Sequence, residues 1–86
     1  MPEICRFFGV VIKMYFGDHL PPHFHAEYGE HRAVIDIRTL LVIGGDLPPR
    51  ALGLVVEWAA QNQDGLLELW DRATNYQPLH ELPPLT

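Results

Sequence analysis

Eighty-six residues suffice for one small domain, of a size that buries only about 60–65% of its unfolded surface. An apolar fraction of 48% excludes a disordered chain, and a single cysteine, Cys5, excludes an internal disulfide. A net charge of −5, with only six Lys and Arg, argues against generic nucleic-acid binding. No apolar run reaches the length of a membrane span and no basic-then-apolar leader is present, so the expectation is a cytoplasmic protein without a membrane anchor. So small a core makes a homodimer a ready source of further burial.

In chain order, the first half reads as strands and the second as helices. Ile4, Arg6 and Phe8 alternate with Cys5 and Phe7, a strand pattern that Gly9 interrupts. Val10 to Phe16 is β-branched and aromatic; Val10, Ile12, Met14 and Phe16 share one face. Gly17-Asp18 ends that strand, and Pro21-Pro22 makes a stiff connector that cannot donate to a ladder.

His23 to Tyr28 and His31 to Arg38 read as two arms of a hairpin around Gly29-Glu30, where Gly suits the first position of a type II′ turn. Tyr28 then faces His31, Glu27 faces Arg32, Ala26 faces Ala33, His25 faces Val34, Phe24 faces Ile35 and His23 faces Asp36. Phe24, Ala26, Tyr28, Ala33, Ile35 and Ile37 fall on a core face. His23, His25, Glu27, Arg32, Val34, Asp36 and Arg38 fall on the other. A one-residue slip would exchange the faces, so the register is well specified.

Thr39 to Ile43 reads as a last strand, broken by Gly44-Gly45. A helix opens at Leu47-Pro48-Pro49 with Asp46 as candidate cap, and carries an apolar stripe through Ala51, Leu54, Val55 and Trp58. Asn62 is a candidate cap for a second helix through Leu66, Leu69, Trp70 and Ala73, stopping near Asn75. Pro78 to Thr86 is an extended tail whose leucines suit a groove or a second subunit. The expected fold is α+β, a single domain over 1–86. An antiparallel sheet of four to five strands spans about 4–43, two helices about 48–75 pack on one face, and the tail covers 76–86.

The polar hairpin face holds the chemistry. His23 and His25 form an H-x-H pair, about 6.5–7 Å apart at Cα if both lie on one strand. Two such imidazoles can share an ion, with Asp36 across the hairpin, His19 through the Pro-Pro turn, or Asp18 as third ligand. The register favours His23, His25 and Asp36, with His19 in reach, as a zinc or iron site. The same groups can work without metal. His23 or His25 would act as acid or base, Glu27 or Asp36 would orient it, and Arg32 or Arg38 would bind an anion. Catalysis then rests on His23, His25, Glu27 and Arg32, and binding on Asp18, Tyr28 and Arg38. The plainer reading is histidines hydrogen-bonded for structure and an exposed Glu27–Arg32 pair worth well under about 1 kcal/mol. Cys5 reads as a small buried residue, Trp58 and Trp70 as core, and His31 and His80 as solvated.

Phe7-Phe8-Gly9-Val10, Met14-Tyr15, Asp18-His19, and the run from Pro21 to Tyr28 together resemble a bacterial family of short proteins, domain-of-unknown-function family 4160. Ala33 to Ile37, Leu47-Pro48, Glu57-Trp58 and Leu66-Leu67 with Trp70 extend the resemblance over nearly the whole chain. Such proteins often occur beside another small family, domain-of-unknown-function family 2442, in arrangements resembling toxin–antitoxin pairs. The resemblance therefore implies one component of such a pair, acting through contact with a small protein encoded nearby and presenting the histidine face. Two alternatives stand beside it: a small ribonuclease or metal-dependent hydrolase, and a passive metal- or ligand-binding module. Two departures are visible. Leu20 stands where the family usually has a polar residue such as Asn, and Thr39 to Ile43 replaces a more polar turn. The second puts apolar surface where solvent is expected, a hint of a partner or of self-association.

Overall fold

The computed structural model describes residues 2–86. Five strands, β1 (Glu3–Phe7), β2 (Val10–Lys13), β3 (His23–Tyr28), β4 (His31–Asp36) and β5 (Val42–Gly45), precede two helices, α1 (Pro49–Gln61) and α2 (Gln63–Thr74). The strands form one antiparallel sheet in sequential order, β1-β2-β3-β4-β5. The α+β architecture expected from the sequence is the one observed.

Alternation explains why the sheet has a dry side. Val10, Ile12, Phe24, Ala26 and Ile35 are fully buried, and Ala33 nearly so. Their neighbours one residue away, Val11, Lys13, His25, Glu27 and Val34, are only partly covered. Against the dry side lie Ala51, Val55, Trp58 and Ala59 of α1 and Leu66, Leu69, Trp70 and Ala73 of α2. The Trp58 ring meets Phe7 at 5.5 Å and Phe24 edge-on at 5.9 Å between centroids. Such aromatic pairs add roughly 0.5–1.5 kcal/mol each beyond the area they bury. Neither helix is long and apolar enough to cross a membrane.

The β3–β4 register is the expected one at all six positions, from His23 opposite Asp36 to Tyr28 opposite His31. Gly29 takes a φ of +59° at the turn, the left-handed region that glycine enters without strain. The edges of other elements differ from the reading above. β2 ends at Lys13 rather than Phe16. Met14 stays buried, but Phe16 is 43% exposed, stacked on Tyr76. Thr39 to Leu41 is turn and loop, and the last strand is Val42–Gly45, so it includes the two glycines expected to break it. The Asp36 carboxylate causes the displacement: its Oδ1 accepts the amides of Arg38 and Thr39 and winds the chain into a turn before it can pair. Gly45, at φ +66°, lets the edge strand approach the Arg32 carbonyl, where a Cβ would collide.

Asp46 does not cap α1. Pro48 holds the N-cap position without a side-chain hydrogen bond. Asn62 sits at the start of α2, but its amide donates to the Trp58 carbonyl instead of capping. The tail is packed: the Leu82 amide donates to the Ile4 carbonyl and Leu85 is buried. The Trp58 indole N–H donates to the Pro83 carbonyl at 2.7 Å. This bond links α1 to the tail across the core. Replacing it, Trp58→Phe is expected to cost about 2–3 kcal/mol from lost packing and an orphaned carbonyl. Urea unfolding would measure the loss, and faster amide exchange at Leu82 would show that the tail has loosened.

Candidate metal centre

Three side chains converge at the end of the sheet where the β2–β3 connector meets β3. Asp18 lies on the connector; His23 and His25 open β3 on one face, as strand alternation requires. One donor atom from each, the three together, lies within 4.8 Å of the others. Asp18 Oδ2 is 2.9 Å from His23 Nε2 and 3.3 Å from His25 Nε2.

The connector places the carboxylate. The Gly17 amide donates to the Ala73 carbonyl in the last turn of α2, fixing the chain one residue before Asp18. The His19 amide donates to Asp18 Oδ1 at 2.9 Å, which turns Oδ2 toward the imidazoles. Both prolines use their carbonyls. Pro22 accepts the Ile37 amide at 2.9 Å, tying the connector to the chain just past β4. Pro21 accepts from His23 Nδ1 at 2.7 Å.

That last bond decides the protonation pattern. A carbonyl only accepts, so Nδ1 of His23 carries a proton. In the neutral ring Nε2 is then a lone pair, and it points at a carboxylate oxygen, another acceptor. His25 can resolve its own contact by placing its proton on Nε2. His23 satisfies its contact as an imidazolium paired with the Asp18 carboxylate. A divalent cation between the three groups would satisfy the same contacts with both imidazoles as neutral ligands. The distances fit. Metal–ligand bonds of about 2.0–2.2 Å place octahedral or tetrahedral donors roughly 2.9–3.5 Å apart. A backbone carbonyl holding the far nitrogen is the usual support of a metal-bound histidine.

The surroundings are half dry. Trp70 of α2 lies 5.0 Å from the His23 ring, and Tyr15 meets His25 edge-on at 4.5 Å. Asp18 and His25 keep side-chain exposures of 23% and 27%, so the donors are reachable from solvent. Burial pushes the Asp18 carboxyl up, but the His19 amide and the two imidazoles outweigh it, and the group is held below its ordinary value.

Several expected site residues lie elsewhere. Asp36 faces His23 across the hairpin, yet its Oδ1 is engaged by Arg38 and Thr39, and Asp18 supplies the carboxylate instead. His19 contributes its amide, and its side chain is exposed outside the cluster. Glu27 pairs with Lys13 of β2 at 3.1 Å rather than with Arg32, which is exposed. Tyr28 is 36% exposed rather than core; it lines a cavity of about 500 Å³ with Phe8, Arg50, Ala51 and Leu54, lined by none of the three donors. Arg38 is exposed on the turn after β4. His31 and His80 are exposed and Cys5 is buried. The roles of Lys13 and Trp70 were not legible in the sequence. Lys13 needed the β2–β3 register, and Trp70 at helical spacing looks like any core aromatic.

The Thr39 amide first, with the Arg38 amide and the Thr39 hydroxyl behind it, holds the Asp36 carboxyl below its ordinary value against the opposing effect of burial. Its stabilising contribution is therefore full above the ordinary aspartate range and disappears as pH falls through the lowered value. Asp36→Asn keeps an acceptor but loses the charge. It is expected to lower stability at neutral pH by roughly 0.5–1 kcal/mol, with the difference from the parent vanishing at the acid end of a series of urea titrations.

A family model described as "Domain of unknown function (DUF4160)" matches residues 9–71, from just before β2 into α2. No curated protein and no solved structure matches the chain.

Proposed function

The chain belongs to the DUF4160 family, and we propose that within this fold it is a metal-binding protein. Asp18, His23 and His25 hold one divalent transition ion, zinc or iron, and the remaining coordination positions are left to water or substrate. The observation that supports this is the His23 ring, whose Nδ1 proton is committed to the Pro21 carbonyl while Nε2 faces a second acceptor. Two histidines and a carboxylate on one side of an ion suit zinc hydrolysis and non-haem iron chemistry alike. Such an ion supplies Lewis acidity to water or a substrate oxygen at its open positions. The chain's own groups orient the ligands: the Pro21 carbonyl sets the His23 tautomer, Trp70 and Tyr15 hold the rings, and the His19 amide aims the carboxylate. The function proposed is a metal-dependent hydrolase. Net charge of −5 favours a small substrate over RNA.

Stripped of metal and titrated with zinc or ferrous iron, the full chain is expected to bind one equivalent. His23→Ala, His25→Ala and Asp18→Ala should each weaken binding by at least about 100-fold, as loss of one of three ligands implies. His19→Ala and Asp36→Ala should bind as the parent does. A parent chain that takes up neither ion at micromolar concentration overturns the proposal. Metal-dependent turnover of a simple ester or phosphodiester separates a hydrolase from a passive metal-binding module.

A second reading draws on the connector. Leu20 is 76% exposed and Phe16 43% exposed on either side of Asp18. Apolar surface beside a solvent-reachable site suits a small protein partner that covers it, as in a toxin–antitoxin-like pair. Expression of the chain alone should then arrest growth, and co-expression of the protein encoded beside it should relieve the arrest. Growth that continues without the neighbour counts against this chain being the toxin of the pair.

A further inference from the structure

The two edges of the sheet are unlike. At β1, Pro2 precedes the strand, Glu3 and Arg6 place an ion pair along it, and the tail takes up the Ile4 carbonyl. Prolines, charges and covering segments are the devices that keep an edge from pairing with another chain. At β5 none of them is present. Thr39 to Gly45 contains no charge and no proline. Leu41 is 64% exposed, Val42 37% and Ile43 49%. β5 pairs with β4 on one side only, so its other side offers free backbone groups beside apolar side chains.

We propose that β5 pairs with β5 of a second copy, antiparallel about a two-fold axis, joining two five-stranded sheets into one. A different strand geometry does not serve this chain as well. Head-to-tail association would need an open β1 edge, and the tail closes it. With one open edge per molecule, self-pairing ends at two copies and leaves no edge for growth. Charge placement favours the same arrangement. Arg38 lies in the turn before β5 and Asp46 directly after it, both exposed, and neither is in an ion pair among the described residues. Antiparallel pairing brings the basic end of one strand toward the acidic end of the other, whereas parallel pairing would set like charges together.

Sedimentation equilibrium of the full chain tests this. The expected mass is that of two copies at micromolar concentration. Ile43→Lys is expected to weaken association by roughly tenfold or more, since a lysine on an edge opposes pairing, with far-UV circular dichroism and melting unchanged. Should that variant lose its fold, Leu41→Lys takes its place, because Leu41 lies outside the strand. Arg38→Asp or Asp46→Arg alone should weaken the dimer, and the two together should restore it. A parent chain that sediments as a single copy overturns the proposal, including when β5 is instead occupied by a strand of another protein. So does an Ile43→Lys chain that associates as the parent does.

Discussion

The register of the β3–β4 hairpin is the constraint on which the rest depends. Phe24, Ala26, Ala33 and Ile35 must lie together against the helices, and every one of them is buried. Period-two alternation then leaves no choice for His23 and His25: they share the opposite face and stand one strand repeat apart. The cost of moving either histidine is therefore the cost of unburying the core. A pair of imidazoles held by the hydrophobic core is a rigid donor pair, which is what a metal centre asks of its scaffold.

The third donor is fixed by different means. Asp18 sits outside regular structure, on a connector whose freedom has been removed at several points. α2 holds Gly17, the His19 amide holds one carboxylate oxygen, and the carbonyls of Pro21 and Pro22 are each engaged. Prolines are poor participants in a ladder because they lack a donor, but their carbonyls remain, and both are used here to build the site. The same atoms that stiffen the chain thus set the tautomer of His23. Trp70 completes the arrangement by closing one side of that ring, so the second helix acts on the site as well as on the core.

Away from the site, the chain divides its polar groups between closing turns and guarding edges. Asp36, facing His23 across the hairpin, folds the following turn through its Oδ1 and lies outside the donor cluster. Lys13 draws Glu27 away from Arg32. On β1 charge and the tail shield the edge, whereas β5 is left apolar. The unequal edges set β5 apart from β1 and from the face that carries Asp18, His23 and His25.

What the sequence determined by itself is whatever local periodicity and turn chemistry specify. Alternation through His23 to Asp36, with a glycine at the turn, was enough for the hairpin, its register and the shared histidine face. The apolar stripe through Trp58 and the stop near Asn75 were enough for the helices. The third member of the donor cluster, the partner of Glu27 and the start of the last strand were decided only by tertiary structure. Each depends on a competition between groups distant in the chain or on either side of a turn. Asp36 and Asp18 are equally good carboxylates on paper. One is claimed by the amides of its own turn, and the other is delivered to the imidazoles by a helix more than fifty residues further on, through the bond from Gly17 to Ala73. No spacing rule contains that information, because it arises from where α2 packs.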